Sequence, residues 1–166
     1  MLLPAYVALG SNLSDPEIQV CRAMELLARQ PDILVQRQSR LYRSAPLGPQ
    51  DQPDFVNAVV GLLTHLGARE LLAVLLSIER QMGRNRRERW GPRIIDLDLI
   101  WMIGDPVDEA DLKLPHPGVS VRNFVLYPLV DVAPSLCIPG LGRAVDIAAH
   151  IGSAGLSVLE DLRGSA

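Results

Sequence analysis

Twice along this chain a strand-like run leads into a helical period and back out into a strand, and that order restricts the fold more than any other feature. Tyr6 to Leu9 reads as a short buried strand, and Gly10-Ser11-Asn12 turns the chain out of it. Asp15-Pro16 supplies an N-cap and a proline at the first helical position. Ile18, Cys21, Met24 (or Glu25) and Leu27 then share one side at 3.6-type spacing until Pro31. Loose alternation predicts one long strand from Ile33 to Ser44. The second unit opens with a strand over Phe55 to Thr64 and continues as a helix over Gly67 to Met82. Leu71, Leu72, Leu75, Ile78 and Met82 form its stripe, and Gly83 its C-cap. Ile94 to Ile103 closes the unit as a strand with strict alternation in its first half. Two short helices are expected at Val121 to Asp131 and Val145 to Ile151. The order is that of a split βαβ repeat, an α+β sandwich with helices packed on a sheet face. No repeat or linker divides residues 1–166, so one domain is expected, and the tail after about 152 carries no pattern.

Composition narrows the function classes. At 48% apolar residues the chain can build a core, but aromatics are 4%, so each aromatic needs a reason. A formal charge of −3 gives no electrostatic case for nucleic acid or an anionic membrane. Cys21 and Cys137 form neither a metal pair nor a disulfide framework and read as small buried hydrophobes. The N-terminal residues lack the basic flank of a signal peptide, and no apolar run reaches the ~18 residues of a membrane span. A cytoplasmic location follows as an expectation.

The chemistry concentrates between Gly83 and Asp98. Asp96 and Asp98 stand two apart on a strand, so both carboxylates leave one face with Cα atoms roughly 7 Å apart. Ile95, Leu97 and Leu99 take the other face. Two carboxylates on one face repel unless a positive group neutralises them, and Mg²⁺ suits hard oxygen ligands shared with substrate phosphates. The alternative is a solvent-facing polar row. Immediately upstream, five arginines (Arg84, Arg86, Arg87, Arg89, Arg93) surround Trp90-Gly91-Pro92. Guanidinium groups grip phosphates by bidentate hydrogen bonds. An Arg-rich loop beside a carboxylate pair is the equipment of phosphoryl transfer, with charge neutralised over the moving group. Alone, the arginine run would be a solvated loop. Farther on, His116 lies between Pro115 and Pro117 on what reads as a rigid, exposed loop, and Arg122 follows six residues later.

Other sites are absent from the sequence. Lys113 is followed by Leu114, which excludes a Walker A loop. Gly140-Leu141-Gly142 lacks the third glycine of a dinucleotide fingerprint, and His65, His116 and His150 have no zinc spacing. Two rivals stay open: a phosphoryl or nucleotidyl transferase with a different acceptor, and a sheet-based binding module for RNA or a small regulator. The scarcity of aromatics and the negative charge count against the latter.

At these residues the chain resembles the hydroxymethyl-dihydropterin pyrophosphokinases of folate biosynthesis. The resemblance runs from Ala8-Leu9-Gly10-Ser11-Asn12 through Tyr42-Arg43-Ser44-Ala45-Pro46, Asp51-Gln52-Pro53-Asp54-Phe55-Val56-Asn57-Ala58 and Glu79 with Gly83-Arg84. It continues through Arg89-Trp90-Gly91-Pro92-Arg93 to Asp96-Leu97-Asp98, then Leu114-Pro115-His116-Pro117, Arg122 with Phe124, and on to about Pro139. It implies a ferredoxin-like α+β sandwich, an antiparallel sheet with helices on its faces. The reaction it implies is attack of the pterin hydroxyl on the β-phosphorus of ATP, releasing AMP. It places two Mg²⁺ ions on Asp96 and Asp98 and gives catalytic roles to Arg84, Arg93, Asp96 and Asp98. ATP contacts fall to Arg84, Arg86, Arg93, Leu99, Lys113, His116 and Arg122. The pterin is expected between Phe55 and Phe124, with Asn57 and the backbone around Ser44, Ala45 and Leu47 reading its edge. Trp90 belongs to the loop that closes over the substrates, and a monomer is expected. Glu79 matches the family pattern without a role.

Overall fold

The computed structural model describes residues 1–84 and 92–159. Ten strands and four helices are found among them. The main sheet is antiparallel throughout. Strand β1 (Leu3–Ser11) lies between β4 (Phe55–Thr64) and β5 (Asp96–Met102). The far edge of β4 is shared by β2 (Ile33–Gln38) and β3 (Tyr42–Ser44). Helix α1 (Pro16–Ala28) connects β1 to β2, and α2 (Ala68–Gln81) connects β4 to β5. Two split βαβ units interleaved in one antiparallel sheet are the ferredoxin-like arrangement.

Period-2 alternation decides which residues meet these helices. Val7 and Leu9 of β1, Val56 and Val60 of β4, and Leu97 and Leu99 of β5 pack with α1 and α2 into one core. In α1 the buried side is Val20, Ala23, Met24 and Leu27. Ile18, expected there, is 63% exposed, so the apolar stripe begins two residues later, at Val20. The cysteines also depart from expectation: Cys21 is half-buried and Cys137 exposed. Asp15 precedes α1 as expected, but its side chain makes no capping bond; its carbonyl accepts Ile18 and Gln19 N–H instead. At the start of α2, Glu70 accepts the Gly67 N–H. Gly83, at φ +85°, ends that helix in the left-handed conformation glycine adopts without strain.

The opposite sheet face is covered as well. Helices α3 (Asn123–Val132) and α4 (Ala144–Ile151) bury Leu126, Leu129 and Ala148 with Val59 and Ile100 in a second core. Two short hairpins flank this layer, β6 (Val107–Asp108) with β7 (Lys113–Leu114), and β8 (Cys137–Ile138) with β9 (Gly142–Arg143). The tail that gave no pattern supplies β10 (Leu156–Val158), which pairs with β3 and extends the sheet.

Three irregularities break the expected strands, the first inside β2, where Val35 faces Leu62 and Arg37 already faces Gly61. Gln38 faces Val60 and Tyr42 faces Asn57, four steps on one strand against three on the other. The extra residue splits the long strand into β2 and β3. Ser39 bridges the gap: its N–H donates to the Val59 carbonyl and its hydroxyl accepts the Val59 N–H, each at 2.9 Å. In β5 the register with β1 shifts where Tyr6 faces Trp101 and Val7 faces Leu99. That bulge brings Ile100 and Trp101 to the α3 side in succession, which ends the strict alternation.

Candidate active site

On the sheet face under α3, Asn57, Asp96 and Asp98 gather toward the end where β1 stops. Strand pairing sets Gly10 between Asn57 and Asp96, and Ala8 between Val59 and Asp98. A cleft with about 640 Å³ of empty space, counting its open mouth, rises from this floor. Ser44, Ala45, Leu47, Phe55, Asn57, Phe124, Asp96, Asp98, Arg93 and Arg122 are among its walls. The six residues expected around the pterin therefore share one cleft with both aspartates. Gly10 keeps the floor open: a Cβ there would lie 3.5 Å from Asn57 Oδ1 and 3.8 Å from the Phe55 ring. Asn57 is buried, and its Nδ2 donates to Ser44 Oγ at 2.8 Å, which fixes the amide with Oδ1 on the Gly10 side. A buried amide held this way presents a defined pattern to a flat heterocycle.

The carboxylate pair is enclosed by arginines. Arg84 Nη1 donates to Asp96 Oδ1 at 2.5 Å, and Arg93 Nη1 to Asp96 Oδ2 at 2.9 Å. Arg84 Nη1 also donates to Glu79 Oε2 at 2.7 Å. Arg84 Nε is buried with no hydrogen-bond partner among the described residues. Such a donor is costly unless something accepts it. At Asp98, burial first, then the negative charges of Asp96 and Glu79, push the carboxyl up to about 7, while Arg84 and Arg122 offset part of the rise. Burial disfavours the ionised form, and neighbouring like charges add to it.

A second cleft opens on the other side of Asp98. Asp98 and Leu99 line it with Leu72, Lys113, His116 and Pro117. Lys113 points partly outward, 3.4 Å from Asp108. His116 is half-buried rather than exposed, because its N–H donates to the Ile100 carbonyl at the β5 bulge. Its Nδ1 accepts the Gly118 N–H at 2.9 Å, which leaves Nε2 as the protonated nitrogen of the neutral ring. Burial first, and then Arg122, hold His116 below its ordinary value. Gly118 gives Arg122 its room, since a Cβ there would fall 2.8 Å from the guanidinium carbon. Arg86 and Trp90 lie outside the described residues.

Two residues carry more of the site than their sequence signals suggest. Asn12 reads as a turn residue, yet it is 2% exposed and joins three segments. Its Oδ1 accepts the Arg93 N–H at 2.7 Å, and its own N–H donates to the Arg93 carbonyl. Its Nδ2 donates to Gln52 Oε1 and to the Pro53 carbonyl, each at 3.0 Å. Glu79 falls on the buried side of α2 one residue after Ile78, and no periodicity separates it from an ordinary exposed glutamate.

Comparison with known proteins meets this geometry from outside. Residues 6–134 match the family described as 7,8-dihydro-6-hydroxymethylpterin-pyrophosphokinase. A 2-amino-4-hydroxy-6-hydroxymethyldihydropteridine pyrophosphokinase of Pseudomonas aeruginosa is 47% identical over 139 residues, 84% of this chain and 86% of that protein. The Methylorubrum extorquens protein of the same name is 46% identical over 136 residues, 82% of this chain and 86% of that one. Among solved structures, a Plasmodium falciparum HPPK-DHPS shares the fold at a TM-score of 0.77 with 13% identity, covering 98% of this chain and 50% of that longer polypeptide. Another HPPK-DHPS crystal structure, with substrates bound, gives 0.77 at 11% identity over 97% of this chain and 47% of that one. This chain thus spans about half the length of those structures. With nearly the whole βαββαβ frame matched at this identity, the chain belongs to the 7,8-dihydro-6-hydroxymethylpterin-pyrophosphokinase family.

Proposed function

We propose how this enzyme's residues divide the work of pyrophosphoryl transfer from ATP to hydroxymethyldihydropterin. The observation that carries the reading is that Asp98 lines both clefts. The pterin occupies the first, its ring between Phe55 and Phe124, with Asn57 and the backbone of Ser44, Ala45 and Leu47 on its edge. ATP occupies the second, against Leu99, Lys113 and His116, its phosphates reaching toward Arg84, Arg93 and Arg122. The clefts meet at Asp98, with Asp96 beside it in the first, so the pterin hydroxyl and the β-phosphorus are brought together there. The hydroxyl oxygen forms a bond to the β-phosphorus as the bond to the bridging oxygen breaks, AMP departs, and the hydroxyl proton is released.

The donor set fits Mg²⁺. Asp96 and Asp98 present hard oxygens on one strand face, and burial beside Asp96 and Glu79 leaves Asp98 in want of a cation. Among the described residues no cluster of three or more ligands occurs, which suits an ion that takes one or two carboxylates and completes its shell with phosphates and water. Two such ions are expected, and when bound they neutralise phosphate charge and lower the acceptor hydroxyl's pKa. The protein's part is positional. Arg93 and Arg84 supply fixed donors, with Arg84 Nε still unmatched, and His116 offers Nε2–H. Arg86 is assigned to ATP contact and Trp90 to the loop that closes over the substrates, and the enzyme acts as a monomer.

One set of titrations tests the division. Pterin and ATP affinities and single-turnover rates are measured for Phe55→Ala, His116→Ala and Asp98→Ala. Phe55→Ala is expected to weaken pterin alone by about tenfold or more, in line with ~1.4 kcal/mol or more of lost ring contact. His116→Ala is expected to weaken ATP alone. Asp98→Ala is expected to abolish transfer while pterin still binds. Undiminished turnover by Asp98→Ala at limiting Mg²⁺ rejects the assignment.

A further inference from the structure

Among the buried polar residues described, Glu79 is the only charged one, at 2% exposure in the last turn of α2. A buried carboxylate paired with a buried guanidinium rarely adds net stability, because desolvation of both ions offsets their attraction. An apolar residue would serve the α2–β5 packing as well, so the charge calls for a different explanation. One oxygen, Oε2, makes two bonds at once: it accepts Arg84 Nη1 at 2.7 Å and the backbone N–H of Leu97 at 2.8 Å. Leu97 stands between Asp96 and Asp98, and β5 pairs with β1 along its other edge. The same Arg84 nitrogen continues to Asp96 Oδ1. The carboxylate thus couples the direction of the guanidinium to the height of the strand that carries both aspartates.

We propose that Glu79 is a positioning residue for the transfer step, setting Arg84 and the Asp96-Leu97-Asp98 strand in register with each other. This rests on the reading that Arg84 contacts the transferring phosphates. Arg84 Nη1 cannot point elsewhere while Oε2 holds it, and Oε2 cannot move without releasing Leu97. Glu79 needs no contact with substrate to act, since a fraction of an ångström in donor placement governs how well developing charge is met.

The test compares single-turnover transfer rates, enzyme in excess, with pterin and ATP affinities in Glu79→Gln, Arg84→Ala and the double variant. Glu79→Gln keeps the shape and an acceptor for Leu97 N–H but removes the charge that holds Arg84. It is expected to lower the transfer rate about 10- to 100-fold, the range for groups that orient reacting ligands, with pterin affinity within about twofold. In the Arg84→Ala background Glu79→Gln is expected to cost little more, because its effect passes through Arg84. Should Glu79→Gln not fold, judged by circular dichroism, Glu79→Asp decides: it keeps the charge but withdraws the oxygen by one methylene, and the rate is expected to fall likewise. An unchanged rate in the folded variant overturns the proposal, as does an equal fall with and without Arg84. A silent Arg84→Ala removes the reading of Arg84 and the proposal with it. Loss with Arg84→Ala but none at Glu79 removes the proposal alone.

Discussion

His116 couples the site to acidity through the burial of its ring, with Arg122 adding to it. Its ring accepts Gly118 N–H at Nδ1, is half-buried, and stands near Arg122, so the folded protein resists protonating it. Unfolded, the same ring titrates near 6.5. Between its depressed folded value and about 6.5 the unfolded chain binds more protons, and stability falls as pH falls. The contribution is complete above the unfolded value, is lost progressively through this window, and is gone below the folded value. Thermal unfolding between pH 7.5 and 5 is expected to show this slope, and His116→Asn is expected to flatten it. An identical slope in the variant would assign the acid sensitivity to other groups. Asp98 is likewise held toward its neutral form, its carboxyl pushed up by burial first and then by the charges of Asp96 and Glu79. The sequence revealed the carboxylate pair through its spacing, but not its surroundings, since Glu79, Arg84 and Arg122 reach it from other segments.

At the scale of elements, the register shifts explain where alternation fails. Ile33 to Ser44 reads as one strand because Ser39 fits a polar position in the pattern, and nothing local marks the break that follows it. Its role emerges only from β4, where its hydroxyl takes the Val59 N–H that a regular ladder would give to a carbonyl. Ser39→Ala leaves that buried N–H without a partner, at a cost of about 1–3 kcal/mol, or roughly 2–4 °C in Tm per kcal/mol for a chain of this size. Calorimetry is expected to find this drop with kcat unaltered, as Ser39 touches neither cleft. A Tm within 1 °C of the parent would mean that water or a shifted backbone replaces the bond. The helices were legible because their stripes are long; α2 in particular matches its expected span. The tail was not, because β10 has three residues, two of them exposed, and exists only by pairing with β3.

Over the whole molecule, the two clefts lie on either side of Asp98, one under α3 and one against α2, and the first of them is braced by residues where β1 ends. Asn12 is that brace, with bonds to Gln52 and Pro53 forty and forty-one positions away and to Arg93 eighty-one away. Sequence alone shows a Gly-Ser-Asn turn, since long-range partners leave no periodic trace. The amide performs two separable tasks. Its oxygen accepts the Arg93 N–H, holding the arginine that reaches Asp96, and its nitrogen donates to the segment leading into Phe55. Asn12→Asp divides them: an ionised carboxylate still accepts from Arg93 but cannot donate to Gln52 or Pro53. It also sets an oxygen against the Gln52 Oε1 and Pro53 carbonyl acceptors, so the loop before Phe55 is pushed away while Arg93 stays anchored. The expected result is pterin affinity reduced about tenfold or more, equivalent to ~1.4 kcal/mol or more, with ATP affinity nearly unchanged. Asn12→Ala, which removes both halves, is expected to weaken pterin and slow transfer together. Equal losses of pterin and ATP affinity in Asn12→Asp would show that the turn moves as one piece and that the amide does not divide its work between the clefts.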